Sequence, residues 1–282
     1  MISVCMATYN GQKYIKEQIT SILEQLGGND ELVISDDRST DSTLDIIKSF
    51  NDERIKVFVK SEKVTTDFPL DSATHNFANA LAHSKGDLIF LADQDDVWLP
   101  GKVEQTLRAM EGQERKTPGK PILVFTDLKV TDENLHVTSP SFWHSNRIKP
   151  KLLSSLNYLG VHFLATGCTM MLNREAKAVC FPYSDKIVMH DAWFATAVLW
   201  NKGFVVAEPE PLMLYRQHEH NVVGAKKTRS LIKQLSMISE LMAKTHEQHL
   251  STVSLTHMSF TRFVIMKAYY LLREHLSNFF GK

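Results

Sequence analysis

The chain has 282 residues, enough for one large α/β domain, or one domain with a helical appendage, around a substantial core. Apolar residues make up 43%, and 32 Lys and Arg balance 32 Asp and Glu, so nothing in the bulk charge suggests a nucleic-acid-binding protein. Cys5, Cys168 and Cys180 have no CxxC spacing, which reads as buried free thiols of a reducing compartment rather than a disulfide framework or a zinc site.

Ile2–Ala7 reads as a short buried strand followed by the polar loop Thr8–Lys13. Tyr14, Ile15, Ile19, Ile22, Leu23 and Leu26 then recur at helical spacing until Gly27-Gly28 stops the pattern. Glu31–Ser35 is a second strand, ending at Asp36-Asp37, and Asp41 or Ser42 is placed to cap a helix carrying Leu44, Ile46, Ile47 and Phe50. Ile55–Val59 is a third strand, Thr74–Ser84 a helix, and Leu88–Ala92 a fourth strand that runs into Asp93, Asp95 and Asp96. This alternation predicts a largely parallel sheet with helices on both faces. In such sheets ligands bind beyond the carboxyl ends of the strands, where Thr8–Asn10, Asp36-Asp37 and Asp93–Asp96 all fall.

The second half is less regular. Leu123–Val130 and Ala165–Leu172 read as strands, His190–Asn201 as a helix stopped by Gly203, and Phe204–Ala207 and Leu212–Tyr215 as short strands. From Thr228 the pattern is helical and amphipathic to the end, with no internal repeat and no low-complexity tract.

Three acidic side chains at the end of a buried strand repel one another unless a positive charge sits among them. Asp93 and Asp95 are two apart, so in an extended segment they point the same way, which suits a shared Mg²⁺ or Mn²⁺; Asp96 would point away and hold the loop. The plainer alternative is a solvated acidic turn capping the helix after Pro100. Asp36 and Asp37 could accept from a ribose hydroxyl or a base N–H, or simply form the turn within "SDDRSTDST". Neither GxGxxG nor GxxxxGK[ST] is present, so no dinucleotide fingerprint or P-loop explains this rim. Trp98 and Trp143 could stack on a sugar ring or pack in the core, while Met170, Met171 and Met213 read as core filler.

The segments "CMATYNGQKYIKEQITSIL", "VISDDRSTDST", "FLADQDDVW", "GCTMMLN", "MHDAWFATAV" and "LYRQHEHNVVG" resemble, in order, those of a family 2 glycosyltransferase, specifically the bacterial branch that includes rhamnosyltransferases of surface-polysaccharide assembly. The resemblance covers about residues 1–225 and is most specific in "ADQDDVW" and "YRQHEHN". It implies an A-type glycosyltransferase fold, a dTDP- or UDP-linked sugar donor, and inversion at the anomeric carbon. On the matching positions, Thr8, Tyr9 and Asn10 would line the nucleotide pocket, and Asp36 would contact base or ribose with Asp37 supporting it. Asp93 and Asp95 match the Asp-x-Asp motif, with Asp95 as direct ligand of Mn²⁺ or Mg²⁺ and Asp93 on the donor. Asp191 matches the catalytic base, and His218 a position that reaches the metal or the diphosphate. An ordinary Asp has a pKa of about 3.9, so proton transfer from an acceptor hydroxyl would come late, as its oxygen gains positive character. Without the resemblance, Asp191 would read as a helix N-cap and His218 as structural; Arg216 could pair with phosphate or anchor the loop.

Two departures stand out. Arg38 occupies a position where the family usually has Gly, so the loop must avoid a left-handed backbone or bear strain, and His190 precedes Asp191 where Glu is common.

The expected organisation is a catalytic domain over 1–225 and a C-terminal amphipathic helical extension over 226–282. Phe260, Phe263, Val264, Tyr270, Leu271 and Phe279 form an apolar helical face with Arg262, Lys267 and Arg273 interspersed, and Lys226, Lys227, Arg229 and Lys233 lie upstream. That face suits a peripheral membrane contact, sensible for a lipid-linked oligosaccharide or other glycan acceptor, or packing against the catalytic domain or a second subunit of a homodimer. Met1–Ala7 is too short and lacks the basic leader of a signal peptide, and no stretch approaches ~18 apolar residues, so the expected location is cytoplasmic, free or at the inner face of the membrane. Rhamnose is the favoured sugar by resemblance. The competing readings are a sugar nucleotidyltransferase, which usually carries a Gly-rich basic loop absent from "TYNGQKY", and a non-catalytic sugar-nucleotide-binding scaffold.

Overall fold

Successive residues of a strand face opposite ways, and here both faces are apolar because both are covered. On β1 (Ile2–Thr8), Val4 and Met6 join one core cluster and Cys5 the other; Val33 and Ile34 divide likewise on β2 (Glu31–Asp36). The first cluster is closed by α1 (Ile15–Leu23), α2 (Thr43–Ser49) and α4 (Lys102–Glu114) through Ile15, Ile19, Ile22, Ile47, Val103 and Met110. The second is closed by α3 (Pro69–His83), the single turn α5 (Phe142–Ser145), α6 (Arg174–Cys180), α7 (His190–Trp200) and α8 (Phe260–Phe279). These bring in Phe77, Leu81, Trp143, Ala176, Phe194 and Phe263.

The computed structural model describes residues 1–61, 69–146, 148–150, 166–181, 190–219, 221 and 259–279. The remaining strands are β3 (Ile55–Val59), β4 (Leu88–Ala92), β5 (Val97–Trp98), β6 (Ile122–Thr131), β7 (Val137–Ser139), β8 (Met170–Asn173) and β9 (Phe204–Arg216). The sheet order is β3-β2-β1-β4-β8-β6-β9-β5, with β7 beside β6. The strands β3, β2, β1 and β4 are mutually parallel, as the alternation of strand and helix demands. Beyond them the sheet is mixed: β8 inserts antiparallel between β4 and β6, and β9 then pairs parallel to β6. Three carboxyl ends, at Thr8, Asp36 and Ala92, therefore share one edge.

Several elements differ from expectation. The two short strands at 204–207 and 212–215 are one strand, β9; Pro209 and Pro211 fall where its pairing to β6 shifts register, so the strand continues past them. Helix α3 begins at Pro69, and α6 follows β8 directly, with the Asn173 side chain accepting from Ala176 N at its start. Val97–Trp98 pairs with Leu214–Met213 as a strand of its own.

Trp98, Trp143, Met170, Met171 and Met213 are all buried, as are the three cysteines, which are free. On α8, Phe263 is buried while Ile265 and Tyr269 are exposed. No helix among the described residues is long and apolar enough to cross a membrane. His220, Lys226, Lys227, Arg229 and Lys233, with the first part of the C-terminal extension, lie outside the described residues.

Candidate active site

One rim forms where β1 and β2 end in register, Thr8 beside Asp36. Thr8 Oγ1 donates to Asp36 Oδ2 (2.8 Å), and Ser39 donates to both carboxylate oxygens through N and Oγ (2.7 Å each). Asp36 is fully buried and shapes the loop; Asp37 lies 3.1 Å from Lys60 Nζ and accepts from Ser72 Oγ (2.5 Å). Asn10 ties the two loops, its N donating to Ser39 Oγ and its Oδ1 accepting from Thr40 N (2.9 Å each). Arg38 does take the left-handed backbone, with φ of +63°, so the loop carries the strain that a glycine there would avoid, about 1–2 kcal/mol. Tyr9 projects outward, 42% exposed, while its backbone is clamped at both ends by the Gln94 carboxamide (2.9 and 3.0 Å). Gly11 makes that clamp possible, because a Cβ there would fall on the Gln94 side chain.

Through Gln94 this rim joins the acidic turn. Asp93 and Asp95 do not share one face as an extended strand would place them, because the chain leaves β4 at Ala92 and turns. Asp93 instead groups with Asp96 and Cys168, their ligand atoms all within 4.8 Å of one another. Asp95 turns to His218, with Oδ2 and Nε2 2.8 Å apart, and also accepts from Asn221 Nδ2 (3.4 Å). Asp96 is fully buried and holds the loop: Oδ1 accepts from Arg216 N (3.1 Å), while Oδ2 is buried with no hydrogen-bond partner among the described residues. Burial, reinforced by Asp95 and Asp191, pushes the Asp93 carboxyl up to about 7, and burial with the charges of Asp95 and Asp93 pushes Asp96 well above the usual range.

Asp191 sits in the first turn of α7, 7% exposed. Its Oδ1 accepts from Ala192 N (2.6 Å) within that first turn. Burial pushes its pKa up to about 6, against the lowering effect of backbone N–H groups at Ala192, Gly167 and Asp191 itself. Its charge is felt at Asp93, so the two carboxyls lie within electrostatic reach of one another. His190, next to it, packs on Phe77 (ring centroids 4.4 Å apart) and has a buried Nε2 without a hydrogen-bond partner among the described residues. Burial holds that ring neutral, its pKa lowered to about 4. The negative neighbour expected from a Glu-Asp pair is thus replaced by an uncharged ring. Gly167 leaves room for it, since a Cβ there would lie 2.6 Å from His190 Nε2 and 3.5 Å from Asp191 Cβ.

The sequence profile of the family described as "Glycosyl transferase family 2" matches residues 3–178, more than half of the chain. The chain belongs to that family. Among its curated relatives, the Shigella flexneri "dTDP-rhamnosyl transferase RfbG" is 29% identical over 231 residues, spanning 78% of this chain and 74% of that protein. The Escherichia coli "UDP-Glc:alpha-D-GlcNAc-diphosphoundecaprenol beta-1,3-glucosyltransferase WfaP" is 25% identical over 250 residues, spanning 88% and 89%. The fold matches that of S. aureus TarS 1-349 in complex with UDP-GlcNAc, with a TM-score of 0.60 at 17% identity over 98% of this chain and 72% of that one. It also matches the Pyrobaculum calidifontis mannosyltransferase PcManGT in complex with GDP-Man and Mn²⁺, with a TM-score of 0.55 at 15% identity, covering 98% and 75%. The architecture is the A-type glycosyltransferase fold.

In this glycosyltransferase the acidic turn fits a divalent cation. Burial, reinforced by crowded like charges, pushes Asp93 and Asp96 up, one buried oxygen has no partner among the described residues, and Asp95 and His218 bring an oxygen and a nitrogen donor within 2.8 Å. Two residues of the site escape a sequence reading. Lys102 is fully buried, its Nζ 5.1 Å from the centre of the Trp98 ring and 3.9 Å from Met213 Sδ; burial lowers its pKa to about 8, against the opposing pull of Cys168 and Asp96. Cys168 is buried against Asp93 and Asp96. Only the position of Lys102 just after Pro100, six residues beyond Asp96, hinted that a helix would return it to the motif.

Proposed function

We propose that the chain is a metal-dependent inverting glycosyltransferase that moves a sugar, with rhamnose favoured, from a dTDP- or UDP-linked donor to a lipid-linked oligosaccharide or other glycan of a bacterial surface polysaccharide. The observation that carries this reading is Asp191: a buried carboxyl with pKa of about 6, close enough to the acidic turn for its charge to raise Asp93, on the scaffold of this family. The rhamnosyl and glucosyl activities in the names of its relatives support the substrate class.

The acceptor hydroxyl approaches Asp191, whose carboxylate accepts the proton as the oxygen closes on the anomeric carbon opposite the diphosphate. A base with pKa near 6 is better matched to neutral pH than an ordinary Asp, yet still far weaker than an alkoxide, so the proton moves late. The neutral His190 adds no repulsion to that carboxylate. Thr8, Tyr9, Asn10, Asp36 and Asp37 would form the nucleotide side, with Tyr9 the exposed face and the others fixing the loops, and Asp93 would meet the donor. Asp95 and His218 would hold Mn²⁺ or Mg²⁺, which supplies positive charge to the departing diphosphate. The C-terminal extension, exposing Ile265 and Tyr269, is the part we assign to a membrane or subunit contact at the cytoplasmic face.

The test is release of nucleoside diphosphate from UDP- and dTDP-linked sugars with Mn²⁺ and a lipid-diphosphate-linked N-acetylhexosamine. Wild type should turn over at least one donor and Asp191→Asn none; an Asp191→Asn variant that keeps more than about a tenth of wild-type turnover would place the base elsewhere.

A further inference from the structure

Arg216, between the acidic turn and His218, is 4% exposed in its side chain, and its guanidinium contacts are internal. Its Nε donates to the carbonyl of Asp95 (2.8 Å), Nη1 to the carbonyl of Glu133 in the β6–β7 turn (2.7 Å), and Nη2 to the Glu17 carboxylate on α1. The planar group lies 4.5 Å from the centre of the Tyr14 ring. His218, two residues on, stacks on the same tyrosine with ring centroids 4.7 Å apart while bonding Asp95. The backbone repeats the pattern: Arg216 N donates to Asp96 Oδ1 (3.1 Å), Arg216 O accepts from Asn221 Nδ2 (3.1 Å), and Asn221 Oδ1 accepts from His218 N (2.5 Å).

We infer that Arg216 and Tyr14 are positioning residues that fix Asp95 against His218, so that the cation-binding pair is preformed before any ligand arrives. This assigns Arg216 a positioning role rather than one as phosphate ligand, since its side chain is buried and each of its three nitrogens already donates to Asp95, Glu133 or Glu17. The directions of these three bonds need a fork. A lysine ammonium could keep the charge but not reach all three acceptors. A carboxylate and an imidazole held by packing and second contacts lose less freedom on gaining a ligand than two mobile side chains would.

The inference rests on the functional reading above, and its test separates the two. Affinity for uridine diphosphate and thymidine diphosphate is measured by calorimetry with Mn²⁺ and with EDTA. Arg216→Lys and Tyr14→Leu should each cut the Mn²⁺-dependent gain in affinity at least tenfold, with EDTA-state affinity within threefold of wild type, and Tyr14→Phe should restore the gain. An unchanged gain in the first two variants overturns the inference, as does an equal fall with EDTA, which would make Arg216 a phosphate ligand. Should Arg216→Lys fail to fold by circular dichroism, Tyr14→Leu must show the loss by itself, and its absence there is equally fatal. A wild type with no Mn²⁺-dependent binding would instead overturn the functional reading, and this inference with it.

Discussion

Asp191 is placed where its chemistry works against folding, and that conflict is measurable. The ordinary carboxyl value of 3.8 rises to about 6 in the folded chain, which at 1.36 kcal/mol per pH unit disfavours the ionised form by about 3 kcal/mol. The folded state binds the proton more tightly than the unfolded state does. The stability this contributes is fully present below pH 3.8 and is lost as pH rises through 6. Asparagine cannot ionise and can still accept from Ala192 N. Asp191→Asn should therefore differ little from wild type near pH 4, and be more stable by up to about 3 kcal/mol at pH 7.5. Urea unfolding followed by tryptophan fluorescence at half-unit pH steps reads the difference directly, and the same preparations should show transfer abolished with nucleoside diphosphate affinity within threefold. Wild-type turnover should fall on the acid side of pH 6, where the base is protonated. A stability difference that stays flat from pH 4 to 8 would refute the argument, because burial would then not be what tunes this carboxyl.

Three further outcomes follow from single contacts. Gly167→Ala puts a Cβ 2.6 Å from His190 Nε2, and that ring is packed against Phe77; stability should fall by about 1–3 kcal/mol and kcat should drop with nucleotide affinity kept, whereas wild-type turnover would show that the pocket can give. Arg38→Gly removes a left-handed arginine at an exposed position, so urea titration should give a change between neutral and about 1 kcal/mol stabilising; a loss larger than that would mean the side chain anchors the loop. Phe263→Ala should cost about 3–5 kcal/mol, since that side chain on α8 is 1% exposed within the core; a loss below about 1 kcal/mol would show that α8 docks only loosely.

The first four strands were legible because each is a short apolar run closed by a turn signal, and because alternation with helices leaves few topologies. The same reasoning put Thr8, Asp36 and the acidic turn on one edge, where they are found. It failed where the chain stops being regular. The rule that residues two apart share a face holds only in a strand, and Asp93 and Asp95 lie just past the end of one. The stretch 204–215 reads as two short strands, but it is one, because β9 absorbs Pro209 and Pro211 at a register shift that depends on β6, about 80 residues away in sequence. The clasp of Arg216 is equally non-local: it joins Glu17, Asp95 and Glu133, and no spacing rule connects those positions. His190 was visible as a departure, but whether it would be charged depended on the apolar wall that Phe77 and Phe194 place around it.

That contrast bears on why a buried strand can end on three carboxyls. Part of the compensating charge is built into the chain. Lys102 is buried with its ammonium beside an indole and a thioether, where burial lowers its pKa to about 8 and the nearby Asp96 opposes that fall. Asp96 in turn bonds the backbone of Arg216 and faces no solvent. The motif thus divides by depth. Asp96 is fully buried and bonded to the Arg216 backbone, with Lys102 near enough to feel its charge, while Asp93 and Asp95 are both less buried. On the proposed function, a site arranged this way turns its less buried carboxyls to the cation and the diphosphate. The acidic turn of this chain would then combine a carboxyl that secures the loop with two that meet the ligand.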